Sequence, residues 1–108
     1  AIQVLDQTRG FRMRLEQNSA FLKTTLQQRR FHLPNTPGPI VALHFGEPRQ
    51  IDRVKNALLA ARILPPLIHY PGAPANGYFR FVISSEHTRS QLENLATTLS
   101  PFAAAARR

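Results

Sequence analysis

Phe11, Leu15, Leu22 and Leu26 recur at spacings of four, seven and four, an apolar stripe down one face of a helix. The first thirty residues therefore read as helix, with Gly10 expected to separate a leading turn (Ile2 to Gln7) from the main rod. The cluster Leu33-Pro34-Asn35-Thr36-Pro37-Gly38-Pro39 ends that pattern, because each proline removes a donor. It delivers the chain into Ile40-Val41-Ala42-Leu43-His44-Phe45, a short apolar run that reads as a strand. Gly46 closes the strand, and Pro48 suits the first turn of a second helix. In that helix Ile51, Val54 and Leu58 mark one face, and the expected end lies near Arg62.

The run Ile63 to Tyr70 is apolar but carries Pro65 and Pro66, which confines it to an edge strand. After the loop Pro71 to Gly77, Tyr78-Phe79-Arg80-Phe81-Val82-Ile83-Ser84 alternates as a half-buried strand does. Thr88 and Gln91 have the spacing of a capping box, opening a third helix with Leu92, Leu95 and Leu99 on its inner face. The order α-β-α-β-β-α predicts an α+β, two-layer sandwich with helices on one face of a small, mostly antiparallel sheet. One domain is expected over residues 1–102, including an entering helix at 1–30, and the tail 103–108 is expected to fray.

Composition narrows the class. At 108 residues and 43% hydrophobic, the chain can build a core, which argues against a disordered basic tail. The absence of cysteine excludes disulfides and thiolate chemistry, and it fits a reducing, cytoplasmic setting. No apolar run approaches the roughly 18 residues of a membrane span, and the start lacks a signal-peptide pattern. The formal charge of +8 comes mainly from arginines scattered along the helices. Aromatics are not interleaved with them, so nucleic acid is a weak candidate partner.

Candidate chemistry is sparse. Arg80 projects from mid-strand opposite Phe79 and Phe81, where it is either solvated or forked onto a carboxylate. His32, His44, His69 and His87 show no metal-ligand spacing, so no metal site is expected. His44 reads as a packing residue, and His87 as a turn-fixing one. Ser84 and Ser85 lack a nucleophile elbow. Lys23 and Lys55 lie in amphipathic helices and do not suit a Schiff base. Taken alone, these residues make no catalytic residue set.

The run Arg80-Phe81-Val82-Ile83-Ser84-Ser85-Glu86-His87-Thr88 resembles the C-terminal signature of the α-oxoamine synthases, a branch of the fold-type-I pyridoxal-phosphate enzymes. That branch includes 8-amino-7-oxononanoate synthase, glycine C-acetyltransferase and serine palmitoyltransferase. Three further stretches are similar to the family in the same order. They are Leu15-Glu16-Gln17-Asn18 with Phe21, Leu22 and Leu26, then Thr36-Pro37-Gly38-Pro39-Ile40-Val41, then Leu58 to Pro71.

The resemblance implies the C-terminal small domain of a pyridoxal-phosphate-dependent acyltransferase, inactive alone, with the cofactor and its lysine in a large domain outside these residues. It implies an amino acid and an acyl-CoA or acyl-carrier-protein thioester as substrates, and a homodimer for the full-length parent. It assigns the amino-acid carboxylate to Arg80 and an acyl-donor loop to Pro71, Gly72, Ala73 and Pro74. Tyr78 stands where many members carry a second arginine, and the segment from the proline loop to Arg80 is about one residue short of the commoner pattern. The Ser-Ser-Glu-His-Thr run and the lack of that earlier arginine lean toward serine palmitoyltransferase-like sequences, and the departures leave the amino acid and the acyl donor open. The alternative is a stand-alone α+β binding module whose basic surface takes an anionic ligand or nucleic acid.

Overall fold

The computed structural model of the chain describes residues 2–33, 38–68 and 77–107, with side chains described between residues 9 and 106 of these segments. Helix α1 (Ile2–Gln28) runs unbroken for 27 residues, about 40 Å at 1.5 Å per residue. Gly10 does not separate a leading turn. A single interior glycine costs only about 0.5–1 kcal/mol relative to alanine, too little to interrupt a helix propagating on both sides. The apolar stripe enters the core only at its C-terminal end. Leu22 and Leu26 are fully buried, whereas Phe11 is 50% exposed.

Both long helices end in the same way. Helix α2 (Pro48–Ala60) starts with Pro48 in its first turn and buries Ile51, Val54 and Leu58. At its end Arg62 turns left-handed (φ 63°), its N–H reaching the Leu59 carbonyl while Ile63 N–H reaches that of Leu58. Helix α1 repeats the pattern with Arg30 (φ 75°), Gln27, Phe31 and Leu26. These are Schellman closures, and each sends the next apolar residue, Phe31 or Ile63, back onto the core.

Strand β1 (Ile40–Phe45) buries Val41, Leu43 and Phe45. Strand β2 (Leu67–Ile68) is all that forms of the expected edge strand within the described residues. Pro65 and Pro66 have no N–H to donate to a ladder, and His69 and Tyr70 lie outside those residues. Strand β3 (Tyr78–Val82) pairs antiparallel with both, placing Val41 opposite Phe81, Ala42 opposite Arg80, and Leu67 opposite Phe79.

Helix α3 (Arg89–Leu99) has the complete capping box that Thr88 and Gln91 predict. The tail beyond it departs from the expected fraying. Ser100–Ala105 wind into a 3₁₀ helix, and strand β4 (Ala106–Arg107) pairs with Phe45 and His44 of β1. Phe102, Ala103, Ala105 and Ala106 pack against the core, and β4 covers an edge of β1 that would otherwise expose unpaired backbone groups. The sheet therefore has four strands in the order β2-β3-β1-β4. One core fills the space between sheet and helices, centred on Phe79, which meets Phe45 edge-on at 5.9 Å and Phe81 at 6.3 Å.

Candidate functional site

Alternation along β3 separates the packing residues from the chemical one. Phe79 and Phe81 turn toward the helices and are 0% and 6% exposed, while Arg80 and Val82 face away and are exposed. Arg80 sits on an interior strand, with its N–H donating to the Pro66 carbonyl at 3.0 Å and its Cα opposite Ala42. The base of the side chain is thus fixed on both flanks.

The register assigns the rest of this face. Next to the Ala42–Arg80 pair lies an aliphatic one, Ile40 opposite Val82. On the other side His44 and Tyr78 stack with ring centroids 4.8 Å apart and planes at 15°. His44 is half-buried in this stack, the packing role expected of it. Glu16, Glu47, Asp52, Glu86 and Glu93 all lie on helices or turns, and no acid among the described residues pairs with Arg80. A guanidinium on a rigid strand with no carboxylate of its own can take one from a ligand as a bidentate pair.

The turn after β3 is built from polar contacts. His87 Nδ1 accepts from Ser84 N–H at 2.8 Å, so the imidazole proton sits on Nε2 and the ring fixes the turn as expected. Ser84 Oγ accepts from Glu86 N–H at 3.0 Å. Asn18, on α1, donates from Nδ2 to the carbonyls of Ser84 and His87, both at 2.9 Å. The sequence gives no spacing signal for these bonds, which cross 66 and 69 residues.

The loop Pro71, Gly72, Ala73 and Pro74 lies outside the described residues, as do Thr36 and Pro37 of the Thr36-Pro37-Gly38-Pro39 approach to β1. A hollow of about 360 Å³, lined by Leu22, Ile63, Phe81, His87 and Leu95 among others, opens on the helix layer. Among the described residues, no group of three or more His, Asp or Glu could hold a metal ion, and no helix is long and apolar enough to cross a membrane.

No family model matches the chain. A Desulfovibrio desulfuricans protein, provisionally assigned as an 8-amino-7-oxononanoate synthase, is 32% identical over 91 residues, covering 83% of this chain and 23% of its own length. The 8-amino-7-oxononanoate synthase of Alkaliphilus oremlandii is 26% identical over 99 residues, 91% of this chain and 25% of that protein. The chain thus spans about a quarter of the length of these curated relatives. A solved structure of an SPT variant with PLP superposes with a TM-score of 0.75 at 26% identity, covering 87% of this chain and 24% of that one. The 8-amino-7-oxononanoate synthase of Francisella tularensis shares the fold, with a TM-score of 0.75 at 22% identity over 93% of this chain and 29% of that one. By sequence and by fold, the chain corresponds to a C-terminal portion of an α-oxoamine synthase.

Proposed function

We propose that the chain is the small domain of a pyridoxal-phosphate-dependent α-oxoamine synthase, and that Arg80 binds the α-carboxylate of the amino-acid substrate. In the reaction the amino acid's α-carbon gives up a proton, or its carboxylate as CO2, bonds to the carbonyl carbon of an acyl thioester, and the C–S bond breaks to release the thiol, which takes up a proton. The observation carrying this reading is an arginine on an interior strand, exposed on a sheet face where no acid among the described residues answers it. Its backbone is held by strands on both sides, so the fork is presented from a rigid element and no backbone ordering is left to oppose binding.

The described residues do not themselves make a pyridoxal-phosphate site. Lys23 donates to the Gly38 carbonyl at 2.6 Å, and Lys55 is exposed on α2; neither shares the face of Arg80. The cofactor, with its lysine, is proposed to sit in a larger domain outside these 108 residues, in keeping with the quarter of the relatives' length that the chain spans. When bound, it supplies the electron sink that makes the α-carbon nucleophilic. Arg80 contributes orientation, because fixing the carboxylate limits the rotation of the amino acid about its N–Cα bond. The loop Pro71 to Pro74 is proposed to border the acyl donor, an acyl-CoA or acyl-carrier-protein thioester. The full-length protein is proposed to be a homodimer.

The test is Arg80→Ala in the full-length protein. A lost charge-assisted pair of about 1.5–3 kcal/mol corresponds to a roughly 10- to 100-fold rise in the amino-acid KM. The thioester KM should stay within about twofold. An unchanged amino-acid KM overturns the assignment.

A further inference from the structure

We infer that Asn18 is a positioning residue for Arg80, an inference that rests on the carboxylate role proposed for that arginine. Asn18 is 9% exposed, and its amide nitrogen spends both hydrogens on carbonyls of one turn, Ser84 and His87, each at 2.9 Å. The same turn is closed by Ser84 N–H on His87 Nδ1 at 2.8 Å. One residue earlier, Ile83 N–H donates to the Pro39 carbonyl at 2.7 Å. The exit of β3 is thus tied to the approach to β1, to its own turn and to α1, and Asn18 makes the tie to α1.

Arg80 lies four residues upstream of Ser84, about 13 Å along an extended strand. A strand held at its exit keeps its tilt, and tilt sets where a long side chain delivers its guanidinium. A misplacement of about 1 Å is enough to weaken a bidentate pair severely. Each of the two carbonyls takes one amide hydrogen of Asn18, and the Ser84 carbonyl also accepts from His87 N–H at 3.2 Å. Asparagine offers two donors on one nitrogen; aspartate, of the same shape, offers only acceptors. Through Asn18 the long helix α1 and the arginine strand move as one body.

The experiment is a double-mutant cycle in the full-length protein, read by calorimetric binding so that turnover is not needed. The probes are glycine, L-alanine and L-serine, each paired with its carboxylate-free counterpart, methylamine, ethylamine or ethanolamine. Asn18→Asp should raise the Kd of the tightest amino acid about tenfold and leave that of its amine within twofold. In an Arg80→Ala background the same change should leave the amino-acid Kd within twofold. An equal effect in both backgrounds, or an equal effect on acid and amine, makes Asn18 purely structural and overturns the inference. If Arg80→Ala alone leaves the amino-acid Kd unchanged, or if no probe binds the unaltered protein, the carboxylate reading falls and takes the inference with it. Asn18→Ser, which keeps one donor, is read through the same cycle should the aspartate variant be too unstable to purify.

Discussion

Phe79 and Arg80 are adjacent on β3 and face opposite layers, so truncating them should have separable effects. Phe79 is fully buried among Phe45 and Phe81, and Phe79→Ala should lower the unfolding free energy by about 3–5 kcal/mol in urea denaturation. Arg80 is exposed and pairs with no acid among the described residues, so Arg80→Ala should move the same midpoint by less than about 0.5 kcal/mol while weakening amino-acid binding. Thr88 caps α3 through its hydroxyl, which accepts from Gln91 N–H at 3.1 Å. Thr88→Ala should cost about 1 kcal/mol in the same assay. Residue-scale features that depend on near neighbours were legible in the sequence: strand alternation around Arg80, the capping box, and the turn role of His87. The Asn18 bonds were not, because their acceptors are brought together only by folding.

Elements followed the apolar pattern wherever it was periodic and departed from it where backbone chemistry decided. Helix α2 and strands β1 and β3 lie where their periodicity put them. The prolines keep the edge strand from beginning before Leu67, and the alanine-rich tail gave no alternation from which β4 could be read. Both Schellman closures place arginine, not glycine, in the left-handed position, a conformation costing an L-residue about 1 kcal/mol or more. Arg30→Gly and Arg62→Gly should each raise the unfolding free energy by about 0.5–1 kcal/mol, read as a later urea midpoint. Gly10 is the mirror case. Among the described residues, a Cβ there would meet only the Arg14 Nη1 atom, at 3.9 Å. Gly10→Ala should stabilise α1 by about 0.5–1 kcal/mol, seen as increased helical signal and a later midpoint.

At the scale of the whole molecule, three helices and one core cover one face of the sheet, and the other face displays Arg80 between an aromatic and an aliphatic pair. The net charge of +8 is spread rather than pooled, with Arg29 bonded to Ser100 at 3.0 Å and Arg89 stacked over Phe21 at 3.9 Å. Arg80 is distinguished by position rather than by charge. The fold class and the arginine's face were legible because sheet alternation is local. The loop proposed for the acyl donor was marked only by resemblance, and it lies outside the described residues. The most direct test is calorimetric binding of an amino acid and its carboxylate-free amine to the full-length protein, before and after Arg80→Ala. The unaltered protein is expected to prefer the acid by about tenfold or more, and Arg80→Ala to abolish this preference; a preference that survives the substitution would mean that Arg80 does not hold the carboxylate.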